Sequence, residues 1–394
     1  MATSAPGPRP PTIADVARVA GVSRTTVSHA LNGLGKVDPR TRERVRQVAA
    51  ELGYRPNLRA QRLRRGQAKA IALASSMPFA VAGGPSRLGF YMEVAAAAAE
   101  SALLHDYALV LVPPVQSDSA LYSVDIDGAI VVEPEVDDAA VAQLRERGLP
   151  YVTLGRPVSA DENAPYVDLR GDLVVELLLE HLHEQGAVRP ALIVGSGSRH
   201  SSVDALIAYE RVAERHGWTP IVARVPESGG EQAGYERCAE LLAEHPDVDA
   251  VCALVDAFAV GAVRAIRDSG RTVPDDVMVV TRYDGLRART CEPPLTAVDL
   301  HLDKAASDAV ELLLGRLRGD NPTPSGAVYP HPQVYDRASS ITAGRNSNKG
   351  FVQPRRSSPD SVRPGASGRA PRPMRRPART DASCVRPVGD APGG

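Results

Sequence analysis

The chain has 394 residues, 43% of them hydrophobic, with a formal net charge of −1 and four cysteines. This length exceeds one comfortable hydrophobic core, and no run of 18 apolar residues is present to span a membrane. The cysteines, Cys238, Cys252, Cys291 and Cys384, have no paired spacing, and the N-terminus lacks the apolar stretch of a signal peptide. We therefore expect a reduced, cytoplasmic protein.

Charge is unevenly distributed along the chain. Residues 1–70 hold 14 Lys and Arg against 4 Asp and Glu, and residues 345–394 hold 11 against 3. The intervening segment, 71–344, therefore carries an excess of 19 acidic charges. A basic head can neutralise phosphates, whereas an acidic body keeps the rest of the molecule away from them. Nucleic acid is the predicted partner.

Residues 12–32, TIADVARVAGVSRTTVSHALN, contain two short amphipathic segments that meet at Gly21. Thr12 followed three residues later by Asp15 predicts a capping-box start of the first helix. Its apolar residues recur at the spacing of one buried face, namely Ile13, Val16, Ala17 and Ala20. Glycine permits the tight turn between the two segments.

Ser23 is placed to cap the second helix, whose two faces differ in character. The inner arc holds Val27, Ala30 and Leu31. The opposite, polar arc holds Arg24, Thr25, Ser28 and His29. A third helix is predicted from the Asp38-Pro39 start to Gly53, with Val45, Val48, Ala49 and Leu52 facing inward. Any small helical bundle shows such periodicity, but the basic charge favours a helix-turn-helix.

Beyond Gly66 the hydrophobic pattern changes to short apolar runs separated by longer amphipathic segments. The runs predicted as strands start near residues 71, 108, 128, 151, 191, 220, 250 and 277. The helical segments include 137–147, 171–186, 229–244 and 257–269. Continuous apolar strands that alternate with helices indicate parallel sheets covered on both faces. Two doubly wound lobes are expected.

The stretches TIADVARVAGVS, TVSHALN, VDPRTRERV and ELGYRPN resemble the DNA-binding headpiece of the lac and galactose repressor family, from Thr12 to Leu63. The resemblance implies that α-helical residues Arg24, Thr25, Ser28 and His29 read bases in the major groove. Phosphate contacts are implied for Thr12, Ser23, Thr26, Asn32, Arg59 and Arg62. Many family members carry arginine where this chain has His29, so the base that this position prefers stays open. A solvated surface role for His29 is the alternative.

Residues 56–65 are too few and too charged to form a stable helix alone. The family resemblance implies a hinge that becomes helical on DNA and includes Asn57, Ala60 and Leu63. Ala60 is then the contact across a dimer axis, and Leu63 is a minor-groove wedge that bends the duplex. Packing of Leu63 against its own domain is the alternative.

The body resembles the family's regulatory domain, which is similar to periplasmic sugar-binding proteins. The resemblance rests on DGAIV (127–131), GAVRAIRDSG (261–270), VPDDVMVV (273–280), PPLTAV (293–298) and RASS (337–340). The expected fold is an all-α helix-turn-helix headpiece followed by an α/β core of two doubly wound parallel-sheet lobes. The predicted segments are a disordered arm (1–11), the headpiece (12–55), the hinge (56–69), the core (70–344) and a disordered basic tail (345–394).

Ligands in such folds bind between the lobes, at the carboxyl ends of strands. The resemblance places Ala205, Val255 and Tyr283 at positions where the family's pocket motifs carry polar residues, and Ala208 at a position where they carry glycine. The remaining candidate effector-binding residues are Ser201, Asp256, Arg282 and Asp284. Because unpaired sugar hydroxyls are costly to bury, this pattern predicts a less polar or different effector, or none. Asp256 can also simply cap a helix.

The resemblance implies a homodimer on a palindromic operator, acting as a repressor under the control of a small molecule. Two alternatives remain: an effector-independent architectural DNA binder and a solute-binding protein. The sequence lacks the phosphate-loop, nucleophile-elbow and zinc-protease motifs, and His181 and His183 point apart on a helix. We therefore expect no enzyme, no cofactor, no metal and no membrane partner.

Overall fold

The computed structural model describes residues 11–32, 35–54, 67–82, 89–112, 120–157, 164–320 and 331–341. Most of the predicted arm (1–11), most of the hinge (56–69) and the whole predicted tail (345–394) lie outside the described residues. The hinge residues Asn57, Arg59, Ala60, Arg62 and Leu63 are among those outside.

The headpiece contains three helices, α1 (Ile13–Ala20), α2 (Arg24–Asn32) and α3 (Pro39–Glu51). Their inner faces form a separate small core around Val16, Val27, Ala30 and Val45, which are fully buried. The predicted inner faces of all three helices are confirmed. Each helix contributes a narrow apolar stripe, and three such stripes together exclude water from one centre.

The first lobe is built on a five-stranded parallel sheet with the order β2-β1-β3-β4-β5. Its strands are β1 (Ala70–Ser75), β2 (Ala108–Leu111), β3 (Gly128–Val132), β4 (Tyr151–Leu154) and β5 (Tyr166–Val167). Its helices are α4 (Phe79–Ala82), α5 (Phe90–Leu104) and α6 (Ala139–Glu146). Residues of β1 and β3 are buried on both faces, which explains their unbroken apolar runs.

The second lobe is built on a six-stranded sheet with the order β11-β10-β9-β8-β6-β7. Its strands are β6 (Pro190–Gly195), β7 (Val222–Val225), β8 (Ala250–Ala253), β9 (Met278–Thr281), β10 (Thr296–Asp299) and β11 (Gln333–Tyr335). The helices of this part of the chain are α7 (Gly171–Glu184), α8 (His200–His216), α9 (Gly230–Glu244), α10 (Asp256–Asp268), α11 (Leu286–Thr290) and α12 (Leu302–Arg318). The last of these, α12, returns to the first lobe and packs on α5 and β4.

The chain passes between the lobes through the same kind of backbone turn at two of its crossings. The tetrapeptides 167–170 and 298–301 read Val-Asp-Leu-Arg and Val-Asp-Leu-His. In each, the aspartate accepts a hydrogen bond from the backbone N–H two residues later. The N–H of Arg170 donates to Asp168 Oδ1 and the N–H of His301 donates to Asp299 Oδ1, both at 2.8 Å. Arg170 and His301 have left-handed backbones, with φ of 51° and 48°. The chain therefore changes lobes through the same tight turn twice.

All eight predicted strands are present, and the predicted fold of a helix-turn-helix headpiece with a two-lobed α/β core is confirmed. The sheets are parallel except at one edge, where β11 pairs antiparallel with β10. Strands β5, β10 and β11 were not predicted. Within the described ranges, every helix is too short or too polar to cross a membrane.

Candidate DNA interface and effector cleft

The outward face of α2 carries the four residues predicted to read bases. Arg24 and Thr25 are exposed, and Ser28 and His29 are half-buried, whereas Val27 and Ala30 on the opposite face are buried. The His29 ring packs against the turn at Gly35, where an added Cβ would lie 2.8 Å from His29 Nδ1. Because the helix is anchored by its inner face, its polar face is presented in a fixed orientation.

The first two headpiece helices, α1 and α2, are capped at their N-termini by side-chain hydrogen bonds. Thr12 donates its N–H and its hydroxyl to Asp15 Oδ2 at 2.9 and 2.7 Å, and these bonds lower the pKa of Asp15 to about 2. Ser23 Oγ accepts the N–H of Thr26 at 3.0 Å. Gly21, with φ of 65°, makes the turn between α1 and α2. The phosphate contacts of Thr12, Ser23, Thr26 and Asn32 stay predictions.

A cleft opens between the two lobes, where the carboxyl ends of their strands face each other. It holds about 550 Å³ of space including its mouth. Its apolar lining includes Met77, Val81, Phe90, Leu254, Val255 and Tyr283. Its polar lining consists of Glu133, Arg199, Ser201, Ser202, Glu227, Asp256 and Arg282. Strand-end clefts of this kind are the usual ligand sites of parallel α/β sheets.

Arg199 bridges the two lobes from the loop before α8 and is only 3% exposed. On the side of the second lobe, its Nε lies 3.2 Å from Glu227 Oε2. On the side of the first lobe, Nη1 donates to Ser76 Oγ at 3.1 Å and to the Glu133 carbonyl, and Nη2 lies 2.9 Å from Glu135 Oε1. Burial raises the pKa of Glu227, and the charge of Arg199 opposes that shift.

Gly195 makes room for this arrangement at the end of β6. An added Cβ would lie 2.6 Å from Glu227 Oε1, so a side chain here would displace the carboxylate that pairs with Arg199. A glycine at this position therefore allows the Glu227 carboxylate to approach the end of β6 closely.

Glu133, directly after β3, is a second link between the lobes. It has a left-handed backbone with φ of 48°. Its carboxylate accepts a hydrogen bond from Ser201 and lies 3.6 Å from Arg282 Nη1. A left-handed non-glycine residue costs of order 1 kcal/mol or more and persists when its surroundings hold it. The contacts of Glu133 with the second lobe supply that support.

An aromatic wall adjoins Arg282. The rings of Phe90 and Tyr283 meet edge to face at 5.5 Å, and the Arg282 guanidinium lies 6.0 Å from the centre of the Phe90 ring. The Tyr283 hydroxyl donates to Glu93. Arg282 Nε is buried and has no hydrogen-bond partner within the described part of the chain.

Asp256 lies at the start of α10, facing the cleft. Its Oδ1 accepts the N–H of Ala257 at 2.7 Å and an Nη1 donor from Arg287 at 3.1 Å. Burial raises the pKa of Asp256, and Arg287 opposes that shift. The same guanidinium donates to the Ala80 carbonyl at 3.0 Å and so connects the two lobes.

Three of the four predicted effector residues, Ser201, Asp256 and Arg282, line the cleft. The assignment of the fourth, Asp284, to the cleft is corrected. Asp284 lies outside the lining and forms ion pairs with Arg289 at 3.2 Å and with Arg337 at 2.6 Å. Glu133, Arg199 and Glu227 were not predicted. Glu133 directly follows a predicted strand, and that position alone was a usable signal.

The cleft is lined by polar as well as apolar side chains, and the prediction of a less polar or different effector, or none, stays a prediction. Ala205 and Ala208 are fully buried within α8 and are not part of the lining. Val255 and Tyr283 do line the cleft. The polar lining also includes Glu133, Arg199, Ser202 and Glu227.

The histidines at 181 and 183 occupy different environments. His181 is buried and its Nε2 lies 2.7 Å from Ser340 Oγ, whereas exposed His183 stacks on His216 at 3.8 Å. Among the described residues, no group of three or more His, Cys, Asp or Glu side chains is arranged to hold a metal ion.

Comparison with known proteins connects both regions to one family. Residues 12–57 match "Bacterial regulatory proteins, lacI family", and residues 179–340 match "Periplasmic binding protein-like domain". The HTH-type transcriptional regulator CelR of Thermobifida fusca is 32% identical over 327 residues, which cover 80% of this chain and 94% of that protein.

Solved structures agree with this relationship. A transcriptional regulator CelR-cellobiose complex aligns with a TM-score of 0.61 at 29% identity, covering 84% of this chain and 99% of that one. A lac repressor dimer bound to operator and the anti-inducer ONPF aligns with a TM-score of 0.68 at 26% identity, covering 85% and 100%. The chain belongs to the lacI family of bacterial regulatory proteins. It is a DNA-binding transcriptional regulator, and its curated relatives are regulators rather than enzymes.

Proposed function

We propose that this regulator represses transcription by binding a palindromic operator as a homodimer, and that a small-molecule effector in the cleft controls the binding. The observation that carries the proposal is the polar outward face of α2, held on a headpiece with its own core. The site of action is the cytoplasm, where the DNA is, and the proposal assigns no catalytic step to the chain.

In this proposal Arg24 and Thr25 contact base edges first, since they open the exposed face of α2. Arginine pairs bidentately with guanine, and His29 one turn later can donate to a base edge. Thr12, Ser23, Thr26 and Asn32 hold phosphates at helix ends, as do Arg59 and Arg62 of the hinge. Leu63 wedges into the minor groove, with Asn57 and Ala60 supporting the paired hinges.

The cleft is the proposed effector site because it joins polar groups, an aromatic wall and contacts from both lobes. Ser201, Asp256 and Arg282 are the proposed ligand contacts, joined by Glu133 and Glu227. A ligand that inserts here must replace contacts between the lobes, such as Ser201 to Glu133. Its binding energy can then change the relative populations of lobe arrangements.

One observation favours a second candidate, an effector-independent regulator. Arg199 already joins both lobes through Glu227, Ser76 and Glu135. A core that closes with its own side chains can hold a single arrangement without a ligand.

The DNA-binding part is tested by binding of the full chain to operator and to random duplexes across a salt series. We expect tight binding to one palindromic site, and we expect Leu63→Ala to lose that preference while retaining non-specific affinity. Equal affinity for operator and random DNA would overturn sequence-specific regulation.

The effector part is tested by a thermal-shift screen of small metabolites, followed by operator binding in the presence of each hit. A hit should stabilise the wild-type chain and change its operator affinity. If no compound stabilises the chain, the effector-independent candidate is favoured.

A further inference from the structure

Two residues that follow β9 reach across the cleft from the second lobe to the first. Tyr283 donates its hydroxyl to the carboxylate of Glu93, in the first turn of α5. Arg282 Nη1 lies 3.6 Å from Glu133 Oε1. The Tyr283 ring also meets the Phe90 ring of α5 edge to face at 5.5 Å. The contact that Tyr283 makes with the first lobe is therefore both apolar and hydrogen-bonded.

Gly285 provides the space that the Tyr283 ring occupies. An added Cβ at Gly285 would lie 2.2 Å from Tyr283 Cε1 and 2.7 Å from Cζ. Gly285 has a φ of −86°, a value that any residue adopts, so the need for glycine is steric. A side chain at this position would push the ring away from Phe90.

The link at Tyr283 is easier to break than the link at Arg199. Glu93 is exposed, so water can hydrate its carboxylate as soon as the Tyr283 hydroxyl leaves. Arg199 and its partner Glu227 are both buried, so separation there would leave a buried charge unpaired. If the lobes separate, we therefore expect the contact between Tyr283 and Glu93 to break first.

Arg282, beside Tyr283, favours separation. Its Nε is buried and has no hydrogen-bond partner within the described part of the chain. A buried donor without a partner is destabilising, and water or a ligand that reached it would remove that cost. The joined lobes are thus stabilised by Tyr283 and opposed by the residue that precedes it.

We propose that Tyr283 is an internal latch of the cleft. Until a ligand binds, its ring occupies space between the lobes against Phe90, and its hydroxyl holds the lobes together through Glu93. A ligand that takes this space must first displace the ring, and the displacement releases the lobes. The effect of the latch on operator binding rests on the proposed function, in which the lobe arrangement controls the binding of DNA.

The lobe arrangement can be measured by double electron–electron resonance on the full chain without ligand. Spin-labelled side chains are introduced at Glu210 on α8 and at Glu311 on α12, two exposed positions on opposite lobes. Labels attached through p-acetylphenylalanine avoid the native cysteines. Dilution with unlabelled protein confines the measured distances to one chain.

Two variants release the latch in different ways. Tyr283→Phe removes the hydroxyl and keeps the ring, whereas Gly285→Ala keeps the hydroxyl and displaces the ring. Each should raise the ratio of separated to joined lobes by about tenfold or more, the worth of one hydrogen bond to a carboxylate. If both variants show the distances of the wild type, the latch is overturned.

Tyr122→Phe is the matched control for loss of a hydroxyl. The Tyr122 hydroxyl donates to Glu146, and both residues belong to the first lobe. This variant should keep the wild-type distances. A shift as large as that of Tyr283→Phe would show that the distances do not report the latch.

Chemical rescue tests whether the side chain itself holds the lobes. Tyr283→Ala removes the ring, and 4-methylphenol is the same side chain as a free molecule, so at millimolar concentration it should restore the joined distance. Toluene has the ring without the hydroxyl and should not restore it. Rescue by 4-methylphenol alone supports the latch, whereas rescue by both compounds or by neither counts against it.

Operator affinity of the same variants separates the latch from the proposed function. If the lobes separate and the affinity changes without any added compound, both the latch and control of DNA binding through the lobes are supported. If the lobes separate and the affinity stays at the wild-type value, the latch stands and control of the operator through the lobes is overturned.

Discussion

The headpiece and the cleft are assembled in opposite ways. Every described part of the headpiece lies within 43 residues of sequence, from Thr12 to Tyr54, and its core is formed by neighbouring turns of helix. The cleft gathers residues from Met77 to Tyr283, which are placed by several strand ends and helix starts of both lobes. The headpiece presents exposed polar groups to a partner, whereas the cleft pairs its charges internally. A local pattern can therefore encode the DNA-binding surface, but only the tertiary fold creates the cleft.

The largest effect is expected for a charge placed in the headpiece core, which should abolish DNA binding without affecting the stability of the two-lobed core. Val27→Asp places a charge in the small headpiece core, where Val27 is 0% exposed, at an expected cost of ~4 kcal/mol or more. DNA binding should be abolished in an anisotropy assay, while the thermal unfolding of the core stays unchanged. Val19→Asp, at a side chain that is 53% exposed, is the control and should still bind DNA. Loss of the core transition in Val27→Asp would show that the two regions do not fold independently.

The next largest effect is expected for loss of the buried ion pair between Arg199 and Glu227 in the cleft. Arg199→Met leaves the buried Glu227 without its guanidinium, which should destabilise the core by about 3–5 kcal/mol in denaturant unfolding. Adding Glu227→Gln should recover part of the loss, because the uncompensated charge is then gone. A double variant no more stable than Arg199→Met would contradict the pairing.

This pairing also has a pH dependence of defined sign. The folded pKa of Glu227 is raised above its ordinary value of 4.5 by burial, so its contribution to stability is fully present below that value. The contribution is lost as pH rises through the raised pKa. Removing Arg199 raises this pKa further, so the deficit of Arg199→Met should be smaller at pH 5 than at pH 8. A larger deficit at pH 5, read from unfolding curves at the two values, would reverse the expected sign.

A smaller effect tests the exposed face of α2. Arg24→Ala should weaken binding to the operator by about 1–3 kcal/mol, the value of one bidentate base contact, and should leave binding to random DNA nearly unchanged. Competition titrations measure both quantities. Arg237→Ala, on α9 of the core, removes the same charge and should have no effect. Equal losses on both kinds of DNA would assign Arg24 to phosphate instead of base.

The smallest effect concerns the cap of α3. Asp38 accepts the N–H of Thr41 at 3.0 Å, and Asp38→Ala should cost about 1 kcal/mol of helix stability. Amide hydrogen exchange over α3 measures this locally in the full chain. Asp38→Asn keeps a capping oxygen and should exchange like the wild type. If the alanine and asparagine variants exchange alike, the cap contributes nothing.

The sequence predicted the headpiece and the buried strands well, for a physical reason. Val27 and Ala30 recur at helical spacing because one face of α2 is buried, and β1 reads as an apolar run because both of its faces are. Strands β5 and β11 were not predicted, since strands of two and three residues, the latter at a sheet edge and without a fully buried residue, carry too weak a pattern.

The cleft was only partly predictable. Arg199 contacts residues 28, 66 and 123 positions away, so no local pattern records its role. Asp284 was assigned by its position in a strand-end motif of the resembled family, but the direction of its side chain depends on the backbone that follows β9, and the carboxylate pairs with Arg337 instead. Of the replaced motif positions, Ala205 and Ala208 are fully buried and outside the cleft lining, whereas Val255 and Tyr283 line the cleft.

The central claim is that two copies of this headpiece read one two-fold symmetric sequence. Selection of duplexes from a random-sequence library by the full-length protein tests it directly, because every possible operator competes in the same pool. The selected duplexes should converge on an inverted repeat of two half-sites around a deformable central step. Recovery of duplexes with no shared sequence, or of a single unrepeated site, would contradict it.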